Sequence, residues 1–242
     1  MALIDAKALA VPGRLHGVDL AVPAGQLVGV IGPNGAGKST LLAALAGLVR
    51  CRGQAGLDGR PLATLAARQR ARLLGYLPQA GHSAWALTVE EVVAMGRLPW
   101  GDSDQAAIAA AMAATGADRL AGRRVDALSG GEQARVWLAR VLAGQPRVLL
   151  ADEPVASLDL YYQRAVMASL RRFADSGGAA LVAIHDLGLA ARHCDRLLLL
   201  AGGRVVADGA PAQVLDPALL EQVYGLPVAV DLLGPVPRVG YR

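Results

Sequence analysis

The sequence predicts an α/β protein with a parallel core sheet, an antiparallel β layer and an inserted helical subdomain. Three observations carry this expectation. Short Val, Ile and Leu runs alternate with helix-like stretches, the pattern of strands covered on both faces by crossover helices. One run, Leu27-Val-Gly-Val-Ile31, enters a glycine-rich loop and then an apolar helix from Lys38 to about Leu48. Between about Ala80 and Gly131 the texture turns helical, and strand-like runs resume only beyond it.

The elements follow in order. Gly53–Leu57 reads as a strand of the antiparallel layer and Leu73–Leu77 as a further strand. Arg68, Arg70 and Arg72 read as a solvated helix face. Thr88 and Glu91 form a capping box, in which the threonine accepts from a helix-start N–H and the glutamate reaches back. Gln105–Thr115 is alanine-rich and helix-favouring. Val148–Ala151 and Ala180–Ile184 are strands with a helix from Leu160 to Phe173 between them. Leu197–Leu200, Gly202-Gly203 and Arg204–Ala207 read as strand, turn and strand, and Pro217–Tyr224 as a final helix. We therefore expect one domain over 1–242, its core built from 1–79 and 135–242 and its helical subdomain from 80–134.

Composition narrows the function classes. The 242 residues are 54% hydrophobic and 18% charged, which suits a compact core rather than a disordered chain. The mean hydropathy is +0.37. No run of about 18 apolar residues predicts a membrane span, and Met1–Asp5 does not read as a signal peptide, so a cytosolic location is expected. The net charge of +4 comes without a dense basic run, and no nucleic acid partner is expected. Cys51 and Cys194 are too far apart in sequence for a metal-binding pair and read as reduced thiols.

Gly32-Pro33-Asn34-Gly35-Ala36-Gly37-Lys38-Ser39-Thr40 carries the chemistry. Glycines let successive backbone N–H groups converge on phosphate oxygens, and the helix that follows adds its positive dipole end. A chance match to this pattern is on the order of one per cent for such a chain, so its placement between a strand and a helix is decisive. Lys38 is one of only two lysines, and Asn34 is the sole asparagine. Lys38 suits the β- and γ-phosphates and Ser39 suits Mg²⁺. Val148 to Glu153 supplies the partner: a buried strand ends in Asp152, for the metal, and Glu153, to orient or deprotonate water. Ser129-Gly130-Gly131-Glu132-Gln133 reads as a second capping box. Two successive glycines at a helix start also expose backbone N–H groups to an anion.

With these residues in place the sequence resembles the ATPases of ABC transporters over nearly its whole length. The phosphate loop is similar to the family's Walker A, Val148–Glu153 to Walker B and Leu128–Gln133 to the signature motif. Gln79 resembles the Q-loop glutamine, Ser157-Leu158-Asp159 the D-loop and His185 the switch histidine. The resemblance implies the P-loop NTPase ABC ATPase fold and ATP and Mg²⁺ as ligands, with Gln79 joining Ser39 and Asp152 at the metal and Glu153, Gln79 and His185 catalytic. It further implies two copies bound head to tail, with Ser129, Gly130, Gly131 and Glu132 of one completing the site of the other. An integral membrane permease dimer fed by a substrate-binding protein would receive the motor at the cytoplasmic face of the inner membrane. The family's adenine-stacking aromatic is missing from Ala10–Arg14, which leaves Val11, Pro12 or Arg14 beside the base. Ala151 and Val155 stand where larger residues and threonine are frequent.

Leu87–Arg97 and Leu219–Pro227 resemble importer ATPases for iron-siderophore, haem and cobalamin, which implies import of such a chelate. His82, Trp85, Arg97 and Trp100 are then expected permease contacts, with a place in the subdomain core open for the two tryptophans. The competing class is a soluble ABC ATPase acting on DNA or ribosomes. The first kind needs a long coiled coil between Lys38 and Asp152, where sustained heptads are lacking, and the second normally carries two cassettes. A regulatory module without turnover is the third class, and Glu153 and His185 argue against it.

Overall fold

A computed structural model describes residues 1–79, 86–234 and 236–241. The chain opens with β1 (Ala2–Val11) and β2 (Leu15–Pro23), then β3 (Leu27–Ile31), α1 (Lys38–Leu45), β4 (Arg52–Leu57), β5 (Arg60–Pro61), α2 (Ala67–Leu73) and β6 (Leu74–Leu77). The helical part holds α3 (Val89–Ala94), α4 (Gln105–Thr115) and α5 (Gly130–Ala143). After it come β7 (Val148–Asp152), α6 (Leu160–Asp175), β8 (Ala179–Ala183), α7 (Leu187–His193), β9 (Arg196–Ala201) and β10 (Arg204–Gly209). The chain closes with α8 (Pro211–Val214), α9 (Pro217–Tyr224), β11 (Val228–Asp231) and β12 (Arg238–Tyr241).

The main sheet runs β10-β9-β3-β8-β7-β6. Its pairs from β9 to β6 are parallel and β10 is an antiparallel edge. Strands β3, β7 and β8 are buried at every position, which is why they read as unbroken apolar runs instead of alternating. The antiparallel layer β2-β1-β4-β5, through Leu9, Leu15, Val18 and Leu57, and helix α1, through Leu41 and Leu45, cover one face. Helices α5 to α9 cover the other through Leu138, Val166, Leu170, Ala190 and Leu220. A third cluster, Val89, Val92, Ile108, Met112, Leu128 and Val136, gathers α3, α4 and one side of α5. Because α5 feeds both this cluster and the sheet, it ties the helical part to the core.

Helix starts follow side-chain chemistry. Thr88, Asp104, Ser129, Asp159, Asp186 and Asp216 each accept a backbone N–H at the start of α3, α4, α5, α6, α7 and α9. Several expected bounds shift. Helix α1 stops at Leu45 rather than Leu48, because the left-handed Gly47 (φ 69°) turns the chain. Leu73 closes α2 instead of opening a strand. Strands β1 and β2, helices α7 and α8 and the final hairpin were not foreseen.

Two surface expectations are corrected. The Arg68–Arg72 face is not simply solvated: Arg68 Nε and Arg72 Nε donate to the Pro99 carbonyl at 2.6 and 2.9 Å, and Arg68 Nη2 donates to Trp100 O. Arg97 is 3% exposed and cannot serve as a permease contact. It is held by Asp102, the Ala143 carbonyl and Gln145. Trp100 is half-buried between Arg72 and Arg97 and donates to Gly144 O at 2.9 Å. His82 and Trp85 lie outside the described residues.

Candidate nucleotide site

The site lies at the carboxyl ends of four neighbouring strands, where open parallel sheets place their ligands. Strand β3 leads into the phosphate loop, β8 delivers His185, β7 delivers Asp152 and Glu153, and β6 leads to Gln79. Residues up to 153 positions apart in sequence (185 − 32) thus meet because β3, β8, β7 and β6 are successive in the sheet.

The loop has the shape its glycines permit. Gly32 has φ 142°, and a Cβ there would stand 2.1 Å from the Leu200 carbonyl oxygen. Gly37 has φ 106° and opens α1 without a side-chain cap, so the first N–H groups of that helix face the cavity unspent. A cavity of about 150 Å³ is lined by Arg14, residues 34–40 and Glu153. The buried Lys38 ammonium donates to the Gly32 carbonyl at 2.8 Å and to Pro33 O at 3.2 Å. Burial lowers its pKa, against the carboxylates of Glu153 and Asp152, which raise it.

Ser39 Oγ donates to Asp152 Oδ1 at 3.0 Å. Asp152 is buried, and that burial raises its pKa, partly offset by the Ser39 hydrogen bond and increased by Glu153. The Tyr76 hydroxyl is pushed up by burial and by the Asp152 charge. A hydroxyl and a buried carboxylate side by side are the hard oxygen donors that suit Mg²⁺ alongside phosphate oxygens, so the residues fit this ion.

Glu153 sits at φ +50°, a left-handed conformation costly for a side-chain-bearing residue, and its N–H donates to Ala183 O at 3.2 Å. Its carboxylate accepts from Gln79 Nε2 at 2.6 Å through Oε2 and pairs with His185 Nε2 through Oε1. The three residues expected to be catalytic therefore converge on one carboxylate. Asp159 does not join them; its Oδ1 accepts from Tyr162 N and caps α6.

Ser129–Glu132 also stand apart. Glu132 Oε2 accepts from Ser129 N at 2.8 Å and from Ser129 Oγ at 3.0 Å, which completes the expected capping box, and Arg123 pairs with Glu132. Nothing from this segment lines the phosphate cavity. Sequence reasoning left Arg14 as one of three candidates near the base, and the structure puts it, without Val11 or Pro12, on the cavity wall. The Arg14 carbonyl is crowded by two glycines: a Cβ on Gly203 would come within 2.4 Å of it and one on Gly37 within 3.1 Å.

A parallel sheet with a phosphate loop, a strand ending in two carboxylates and a Gln and a His held on the second of them has the form of a nucleoside triphosphatase site. The family model that matches residues 15–156 is the ABC transporter model, and the chain belongs to that family. It is 50% identical over 226 residues to the hemin import ATP-binding protein HmuV of Pseudomonas putida, covering 90% of this chain and 89% of that protein. It is 51% identical over 222 residues to the protein of the same name from Nocardia farcinica, covering 89% and 77%. Among solved structures it resembles an ATP-binding subunit of an ABC transporter (TM-score 0.77, 27% identity, 92% and 93% covered). A structure assigned to the metal-chelate type of ABC transporter matches in fold at TM-score 0.87, with 23% identity and 100% and 97% covered. The chain is thus an ATP-binding ABC ATPase.

Proposed function

We propose that this chain is the ATP-hydrolysing motor of an importer for haem or a related iron chelate. About half its residues are identical to hemin import ATP-binding proteins across nine-tenths of its length, and this observation carries the substrate class. The geometry supplies the motor. The free N–H groups at the start of α1 and the Lys38 ammonium bind the β- and γ-phosphates. Ser39 and Asp152 would hold Mg²⁺, with Gln79 as a further oxygen donor to it. When bound there, the ion would supply charge neutralisation for the phosphate oxygens. Glu153 accepts a proton from the attacking water, with Gln79 and His185 fixing its carboxylate, and His185 then faces the γ-phosphate. Arg14 offers a planar guanidinium to the base in place of an aromatic ring.

A second copy completes each site. Ser129, Gly130, Gly131 and Glu132 lie away from this chain's own cavity, so their helix start serves the nucleotide of a partner copy, with Asp159 near the seam. The described part of the helical subdomain, residues 86–134, receives a membrane permease dimer fed by a substrate-binding protein, with Trp100 at the contact. The chain then works peripherally at the cytoplasmic face of the membrane; no described helix is long and apolar enough to cross one.

Co-purification of the tagged chain from its native membranes tests this reading. An integral membrane partner and haem-stimulated ATP hydrolysis in vesicles bearing the matching binding protein are expected. Recovery of ribosomes or DNA with no membrane protein would overturn the transporter assignment.

A further inference from the structure

The starts of α5 and α6 meet through one aromatic ring. Gly131 is buried, and a Cβ there would stand 2.3 to 2.7 Å from Cδ2, Cγ and Cε2 of Tyr162. No side chain tolerates that approach, so the ring lies flat against the Gly131 backbone. Gly130 beside it is different: a Cβ would meet nothing within 4 Å. This chain's own packing thus explains why residue 131 is glycine and leaves residue 130 unexplained.

The ring is held on its other sides as well. The Arg135 guanidinium, one turn along α5, stands 5.2 Å from the ring centroid and donates through Nη1 to Gly116 O at 3.1 Å. Tyr161 meets Tyr162 edge-on, with centroids 5.2 Å apart and planes at 82°. Tyr162 N donates to the Asp159 carboxylate at 3.0 Å, so the residue with the ring also carries the cap of α6. Leu160 and Tyr161, next to it, are 84% and 69% exposed.

We propose that Tyr162 is a positioning residue: its ring is a strut that fixes the Ser129-Gly130 turn against the Asp159 turn, setting where both are presented to a second copy's nucleotide. The inference rests on the two-copy reading above. The ring face fills the slot of a missing side chain, a cation–π contact holds Arg135 over the ring, and Tyr161 meets it edge-on. The start of α5 therefore cannot shift toward α6 without displacing Asp159. Removing the ring leaves the phosphate loop untouched and loosens only the surface offered to the other copy. A helix start misplaced by about 1 Å costs on the order of a hundredfold when it must meet a transition state.

The test uses the full chain and its Tyr162→Ala, Tyr162→Leu and Tyr162→Phe variants. ATP affinity is measured on dilute protein with a fluorescent analogue, and hydrolysis at saturating Mg-ATP against protein concentration. Y162A and Y162L should bind ATP within about twofold of the unaltered chain, lose at least tenfold in kcat and need more protein to reach half their maximal rate. Y162F should restore the rate, because the ring face and not the hydroxyl makes the contact. Should Y162A fail to fold, Y162L decides, since it keeps bulk and helix propensity without a flat ring. Wild-type turnover in Y162L, a loss of ATP affinity matching the loss of rate, or Y162F as impaired as Y162L would overturn the proposal. If hydrolysis by the unaltered chain is independent of protein concentration, the two-copy reading fails, and the proposal with it.

Discussion

Lys38 is 5% exposed and spends its ammonium on two loop carbonyls. Charge-assisted hydrogen bonds are worth about 1.5–3 kcal/mol, so Lys38→Ala should weaken ATP binding between tenfold and a hundredfold. Isothermal titration calorimetry checks this, and unaltered affinity would contradict the phosphate role. Glu153→Gln keeps the shape, exchanges one of the two acceptor oxygens for a donor and cannot take the proton. Turnover should fall on the order of 10²- to 10⁴-fold at nearly unchanged affinity, read by phosphate release. The two thiols separate cleanly. Cys51 is exposed, whereas Cys194 is buried and its pKa is pushed up to about 12, first by burial and then by Asp195. Only the thiolate reacts, so at pH 8 an aromatic disulfide reagent should label Cys51 alone in the folded chain and both in denaturant. At this scale the sequence was most legible, because Gly32–Ser39 and Asp152–Glu153 form local patterns whose chemistry needs no fold. Arg97 was misread for the opposite reason. An arginine in sequence looks like surface, and only the meeting of Asp102, Ala143 and Gln145 around it explains its burial.

Among elements, helix starts were readable where the cap is local, as at Thr88 and Ser129, and strands β3 and β7 where both faces are covered. Strand β1 was obscured because register shifts near Ala6–Ala10 break its alternation, whereas β2 alternates over only Val18–Pro23, a short signal next to Gly17. The fastening of α2 to the 97–102 segment was invisible for another reason, since it uses backbone carbonyls of Pro99 and Trp100. Trp100→Ala deletes a hydrogen bond to Gly144 and two guanidinium contacts, and should destabilise the chain by about 2 kcal/mol. A lowered urea midpoint with an unaltered slope would verify this. A midpoint equal to that of the unaltered chain would show that the clamp contributes nothing.

At the scale of the whole molecule, strand order explains why the site's members were legible in the sequence and their meeting was not. Gln79, Glu153 and His185 are far apart in the chain, and only the succession β6, β7, β8 brings them to one carboxylate. The candidate residues fall into two groups. Lys38, Ser39, Asp152, Glu153, Gln79 and His185 converge, while Ser129–Glu132 stand on another part of the surface with Gly130 open. We propose that a molecule built this way holds half of each site. This is tested most directly by analytical ultracentrifugation of Glu153→Gln with and without saturating Mg-ATP. The account predicts monomer without nucleotide and a stable dimer of two copies with it. A Glu153→Gln protein that binds ATP to saturation and still sediments as a monomer would contradict it.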